Sequence, residues 1–413
     1  MRARRTTSTN VGPSCSSSPS RLLAEGLNAL KEWRPDGVPA TRPKAQVLDL
    51  FSGCGGMSVG FAALGQLDGT FRMVGGVDVN PASLATYQRN FRVPGLQRDV
   101  RELAYDRGAL GHLLHDLPDY DASTPLVLIG CAPCQGFSAH AKKRWAIGPD
   151  DRNDLVRAFA EVAVSLSPAC VVMENVPELV TGRYKHNFLA FQEVMGQAGY
   201  IVKWAIHNAA AFGVPQARMR SLVIATRSDS FNMPEPLLAP GEFRTVRQAI
   251  GHLPPVQAGK AHASDVLHRS AAHRTSTLDV IRAVPHDGGS RPKGMGPNCL
   301  DQVKGFSDVY GRLYWDRPAI TLTHYARNPA SGRYTHPEQD RGLTMREAAL
   351  LQSFPDAFSF DGKFDDVFRQ IGEAVPPLLS VAVAQSIAAY LNDKTDAQPE
   401  ARQRLERLEP AKA

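Results

Sequence analysis

From Gln46 to Thr226 the chain repeats one rhythm, a short apolar run followed by a helical segment, and this constrains the fold more than any single motif. "QVLDLF" (46–51) reads as a buried strand and "MSVGFAALG" (57–65) as a helix; "FRMVGGVDV" (71–79) and "NPASLATYQRNF" (80–91) repeat the pair. "PLVLIG" (125–130), the helix "DLVRAFAEVAVSL" (154–166), "ACVVMEN" (169–175) and the helix "FLAFQEVMGQAGY" (188–200) continue it, and the strands "IVKWAIH" (201–207) and "SLVIAT" (221–226) close it. Continuous apolar strands alternating with helices call for a mostly parallel sheet covered on both faces. The predicted fold is a doubly wound α/β domain with a Rossmann-like sheet.

After Arg227 the rhythm stops. The chain becomes rich in Pro, Gly and His with weak periodicity, which predicts a second, smaller and irregular domain. Residues 241–300 hold eight Lys or Arg against four Asp or Glu, with five histidines. "LTMREAALLQSF" (343–354) is helical again, with Thr344 and Glu347 at capping-box spacing. "VPPLLSVAVAQSIAAYL" (375–391) forms a last apolar helix that needs the core of the first domain. The expected organisation is a disordered tail over 1–43, in which "RLLAEGLNALKEW" (21–33) could make a short amphipathic helix, a catalytic and cofactor-binding domain over 44–227 completed by 366–391, a small domain over 228–345, and a charged tail over 392–413.

With 413 residues, 43% hydrophobic and 21% charged, the chain has the make-up of a soluble globular protein. No stretch approaches the eighteen or so consecutive apolar residues of a membrane span, and no secretory signal is visible. The expected location is intracellular, in cytoplasm or nucleoid. The six cysteines (15, 54, 131, 134, 170 and 299) lack disulfide-style spacing and fit a reducing compartment. A net charge of +6 favours a polyanionic partner without demanding one.

Chemistry-bearing residues gather at the predicted strand ends. "FSGCGGM" (51–57) puts glycines at a strand-to-helix turn, where a ligand can approach the backbone and the helix N-terminus. The nicotinamide fingerprint fails, because Ser58 stands where its third glycine belongs. Asp78 ends the second strand, where a carboxylate takes ribose hydroxyls; a cap shared with Asn80 is the plain alternative. The pair suggests an adenosine-containing cofactor. In "CAPC", Pro133 stiffens the backbone before Cys134, which lies past a strand's carboxyl end and is the candidate nucleophile, whereas Cys131 reads as a small buried residue. A structural zinc site would want a second cysteine pair, and no metal is expected. Glu174 closes the run Val171–Met173 at the same rim, where desolvation would raise its pKa and let it donate a proton. Arg218 and Arg220 share one side of an extended segment and suit an anion or a carbonyl oxygen, or else a surface salt bridge.

The order of these blocks resembles that of the DNA cytosine-5 methyltransferases from about residue 46 to residue 391. "DLFSGCGGMSVGF" is similar to the family's cofactor loop, "GCAPCQGFS" to its Pro-Cys-Gln motif, "MENV" to its Glu-Asn-Val motif and "QARMR" to its Gln-x-Arg-x-Arg motif; "HPEQDRGLTMREAALLQSFPD" and "GEAVPP" resemble the two closing motifs. The resemblance implies S-adenosylmethionine as methyl donor, a catalytic domain completed by the C-terminal helix, and a target-recognition region between "QARMR" and "RPAITLT". It implies that Cys134 adds to cytosine C6, that Glu174 acts at N3, and that Arg220 contacts O2 with Arg218 in support. For the cofactor it implies Phe51 near the adenine, Gly53 and Gly56 in the turn, Asp78 on the ribose, Asp99 near the adenine amine, and Pro133 beside them. The loop from Gly136 to Asn153, with Lys142, Lys143 and Arg144, is the expected lid. The expected partner is double-stranded DNA, with an accompanying restriction or defence system in view, no membrane, and a monomeric chain. Two positions depart from the family pattern: Glu373 follows Gly372 where asparagine is usual, and Ala141 replaces a lid glycine. An inactive DNA-binding relative and a tRNA cytosine-5 methyltransferase are the alternatives.

Overall fold

The computed structural model describes residues 18–38, 43–132, 154–182, 184–302 and 308–396. Seven strands form the main sheet: β1 Ala45–Leu50, β2 Phe71–Asp78, β3 Gly95–Gln97, β4 Leu126–Gly130, β5 Cys170–Asn175, β6 Ile201–Asn208 and β7 Met219–Thr226, in the order β3-β2-β1-β4-β5-β7-β6. β1 to β5 pair in parallel, and β7 runs antiparallel to both neighbours. The strand order reverses between β1 and β4, and in doubly wound sheets ligands bind outside the carboxyl ends at such a point.

Helices α1 Pro19–Glu32, α2 Gly56–Asp68, α3 Pro81–Phe91, α4 Val100–Tyr105, α5 Arg107–His115, α6 Leu155–Leu166, α7 Glu178–Thr181 and α8 Lys185–Gln197 precede the small domain. Val47, Ile129 and Val172 join a core on one face of the sheet, and Leu48, Leu128 and Val171 a core on the other. This is the alternation that a two-sided sheet imposes. Gln46, buried in β1, is satisfied by the Asp121 and Thr124 carbonyls and by the Asp121 N–H.

The small domain contributes α9 Val246–Ile250, the hairpin β8 Ala261–His262 with β9 Asp265–Arg269, α10 Thr275–Ala283 and α11 Cys299–Gln302. α12 Met345–Leu351, α13 Phe364–Glu373 and α14 Pro377–Asp396 follow. The expected capping box forms: Thr344 Oγ accepts from the Glu347 N–H at 3.1 Å, and Glu347 Oε2 accepts from the Thr344 N–H at 2.8 Å. α14 packs on α2, where Gly60 lets the helices touch; a Cβ there would collide with Ser380 and the Val381 nitrogen. Ser380 Oγ donates to the Met57 carbonyl across that contact.

One expectation is corrected. Residues 19–33 are not tail: α1 lies on α2 and α14, and Trp33 is 1% exposed with its ring stacked on Phe358 at 5.8 Å. Its apolar face has no visible partner in the sequence because one of the two helices it packs on, α14, lies some 350 residues away. The helical run Phe364–Asp393 contains a window long and apolar enough to cross a membrane by length and composition, and most of that window is buried in the core.

Candidate active site

The carboxyl ends of β1, β2, β4 and β5 deliver the candidate residues to one rim. After β1 the chain turns through Phe51 and Gly53, both left-handed at φ 58° and 51°. For a phenylalanine that backbone is uncommon and costs about 1 kcal/mol or more, a strain that tends to be kept at ligand sites. The half-buried Phe51 ring rests on Phe159, with centroids 6.3 Å apart. A Cβ on Gly53 would meet nothing within 4 Å, so this backbone borders open space, whereas one on Gly56 would strike the Val375 carbonyl and Ala374. The two glycines serve different ends, ligand approach at Gly53 and helix packing at Gly56.

Asp78 Oδ2 accepts from the Gly53 N–H at 2.8 Å and Oδ1 from the Asn80 N–H at 2.8 Å. Asn80 alone caps α3, through Ala82 and Ser83. Asp78 is therefore the strut that fixes the glycine turn, and each oxygen keeps acceptor capacity for a hydroxyl. Burial raises its carboxyl above the ordinary range. Behind it, burial pushes the Asp49 carboxyl up to about 8, although Ser58 donates to it at 2.6 Å. An open glycine turn braced by a half-buried carboxylate fits an adenosine-bearing cofactor. Asp99 caps α4 through the Arg101 N–H and pairs with the Arg101 guanidinium at 2.6 Å, which holds it below the usual carboxylate range.

On the other side of the rim, Glu174, 7% exposed, forms an ion pair with Arg220, Nε to Oε1 at 2.8 Å. Arg218, two residues earlier, is 3% exposed and donates to the Leu322 carbonyl at 2.8 Å and the Gly372 carbonyl at 3.1 Å. It binds β7 to the small domain and to α13, so it can act on chemistry only by positioning. Gln216 has a similar part, accepting from the Leu322 N–H and donating to the Leu351 carbonyl. Pro133, Cys134, Ala141 and the expected lid lie outside the described residues. Just before them, Asn175 Nδ2 donates to the Ala132 carbonyl at 3.2 Å. Sequence reasoning passed over Asn175, although its place directly after Glu174 was the signal. Cys131 is half-buried, and burial, then the charge of Glu174, push its thiol well above the ordinary range; such a thiol is inert.

The fold and this rim define a doubly wound α/β protein with a cofactor crevice beside an acid–guanidinium pair. Residues 45–389 match the family model described as C-5 cytosine-specific DNA methylase. The type II methyltransferase M1.HphI of Haemophilus parahaemolyticus is 37% identical, covering 82% of this chain and 86% of its own length. The type II methylase M.HgiDII of Herpetosiphon aurantiacus is 33% identical, covering 84% and 95%. The solved structure of a Spodoptera frugiperda DNMT2 mutant shares the fold, with a TM-score of 0.55 at 14% identity, covering 83% of this chain and 99% of that one. The chain belongs to the C-5 cytosine-specific DNA methylase family, and it is a DNA (cytosine-5)-methyltransferase.

Among the described residues no group of three or more His, Cys, Asp or Glu is arranged to hold a metal ion.

Proposed function

We propose that the enzyme transfers a methyl group from S-adenosylmethionine to C5 of a cytosine flipped out of a specific double-stranded DNA sequence, through a covalent bond between Cys134 Sγ and C6. The relatives named as type II enzymes support a place beside a restriction nuclease inside the cell. The observation that carries the mechanism is the Glu174–Arg220 pair at the rim, next to the Asn175 contact with the last described residue before Pro133.

Cytosine C5 is too weak a nucleophile to accept a methyl group unaided. The Cys134 thiolate adds to C6 and makes C5 enamine-like. Glu174 gives a proton to N3 as electrons move onto the ring, and Arg220 holds the carboxyl and meets the O2 edge. When bound, S-adenosylmethionine supplies an electrophilic methyl group. Loss of the C5 proton then restores the ring double bond and expels the thiolate. None of these atoms is accessible in a stacked duplex, so the base must leave it, as methyltransferases are known to require. Arg269 and His273 of the small domain line one groove with Arg327, Phe364 and Asp365, where Asp365 already pairs with Arg327 at 2.7 Å, so Arg269 is the groove's candidate for a phosphate contact.

A duplex carrying 5-fluorocytosine tests the adduct, because fluorine cannot leave as a cation. With S-adenosylmethionine present, a denaturant-resistant complex mapping to Cys134 is expected. Cys134→Ser should abolish it, a hydroxyl being far less ionised than a thiol, while Cys131→Ser leaves it intact. Trapping that survives Cys134→Ser overturns the assignment.

A further inference from the structure

Glu373 occupies a place that its neighbours define closely. Gly372 lies so near the Thr323–His324 backbone that a Cβ there would collide with it, and Ala374 and Val375 press on Gly56 at the start of α2. Arg218 grips the carbonyls of Gly372 and Ala374, one residue to either side. Residue 373 is thus clamped beside the glycine turn, at the last position of α13, with its side chain exposed. Desolvation raises its carboxyl, the Arg369 cation offsets part of this, and repulsion from Asp78 adds to it. The buried Cys54 thiol in the turn feels both carboxylates. A second acidic residue therefore sits beside the glycine turn that Asp78 braces, and among the described residues Glu373 has no cationic partner at ion-pair distance; Arg369 instead pairs with Asp366 at 3.6 Å.

We propose that Glu373 is a charge selector, holding the cationic methyl donor more tightly than the neutral product it becomes. The inference rests on reading the rim as the S-adenosylmethionine site. The donor carries a sulfonium, an ammonium and a carboxylate, a net positive charge. When the methyl–sulfur bond breaks, sulfur keeps the electron pair and becomes a neutral thioether, so the product has no net charge. A fixed carboxylate next to the crevice attracts the donor more strongly, and its hold weakens once transfer has occurred. Asparagine, usual at this place in the family, could hydrogen-bond to either ligand but could not tell them apart by charge.

Calorimetry without DNA tests this, titrating S-adenosylmethionine and S-adenosylhomocysteine separately into the wild type, Glu373→Gln and Glu373→Asp. The wild type should favour the donor, and Glu373→Gln should reduce that preference about fivefold, the scale of a partly screened charge contact. Glu373→Asp should retain most of it, and added salt should erode it only where the carboxylate is present. Melting temperatures within a degree or so of wild type would show that the fold is kept. An unchanged ratio, or equal weakening of both ligands by Glu373→Gln, overturns the selector while leaving the cofactor site in place. Failure of the wild type to bind either ligand overturns the cofactor reading and the selector with it.

Discussion

The sheet and the small domain solve the same problem, satisfying a buried backbone, by different means. In the sheet the strands satisfy each other, and the side chains left over are apolar: Leu48, Leu128, Val171 and Val172 are all 0% exposed. Among the described residues of the small domain only the β8–β9 hairpin pairs as strands, and arginines do the work that ladders do elsewhere. Arg312, 0% exposed, uses all five of its N–H donors on the carbonyls of Val284, Ile281, His336 and Gln339 and on Asp340. Arg333 donates to the Gly288, Gly289 and Arg312 carbonyls, and Arg341 holds Glu347 through two bonds of 2.7 and 2.8 Å. A sheet built on periodic burial tolerates change at its loops. A loop domain tied by a few guanidinium hubs depends on each hub.

The largest expected effect breaks a hub. Arg312→Met should cost about 4 kcal/mol, since it leaves the Val284 and His336 carbonyls without a donor, takes the second donor from the Ile281 and Gln339 carbonyls, which keep the Val284 and Arg341 N–H groups, and removes the partner of Asp340. Leu128→Ala in the sheet should cost about 3 kcal/mol through lost burial and a cavity. Urea unfolding gives both totals, and segment-resolved hydrogen exchange separates them: Arg312→Met should loosen 275–342 first, whereas Leu128→Ala should loosen β1, β4 and β5. If Arg312→Met loosened the sheet equally, the contrast between the two regions would fail.

A smaller effect comes from pH and has opposite sign in the two regions. Burial, with the nearby Arg341 cation, outweighs the Glu347 carboxylate 3.8 Å away and lowers His336 to about 4. Because the unfolded chain takes up this proton near pH 6.5 and the folded one resists until about pH 4, the small domain should lose about 3 kcal/mol as pH falls through that window. Glu347 is held at about 2 by Arg341 against burial, so its contribution is full above about pH 4.5 and disappears as pH falls toward 2. Asp49 behaves in reverse, its folded carboxyl keeping a proton up to about 8, so its contribution is present at low pH and is lost as pH rises to 8. Exchange rates corrected for intrinsic pH dependence should show 308–351 losing protection from pH 6.5 to 4 and β1 with α2 losing it toward pH 8. His336→Gln should flatten the first slope, and Asp49→Asn the second.

The smallest effect concerns Asp99. As the cap of α4 it should cost about 1 kcal/mol of stability when changed to alanine. A loss of S-adenosylmethionine affinity much larger than the accompanying drop in melting temperature would instead support the adenine contact that the family resemblance implies.

The legible parts of this protein are those governed by local rules. β1, β2, β4 and β5 follow their apolar runs, the Thr344–Glu347 box forms as spaced, and Glu174, Asp78 and Gly53 reach one rim because each closes or follows a strand of the parallel set. Arg218 was legible as a charge at period two but not as a strut, because its acceptors, Leu322, Gly372 and Ala374, lie more than a hundred residues away. Asn175 was quoted inside a motif and had no visible role until the Ala132 carbonyl came beside it. The helix over 19–32 was legible as amphipathic, but its membership of the core was not.

The sequence by itself determined the doubly wound sheet and the residues at the strand ends, because periodicity and strand–turn chemistry act over a few residues, and the order of its motifs carried the family resemblance. Only the tertiary structure decided that Asp78 braces the glycine turn, that arginines stand in for ladders in the small domain, and that the backbone around Glu373 is clamped beside that turn. Those contacts join segments far apart in the chain, and no local pattern of residues encodes the distance between them.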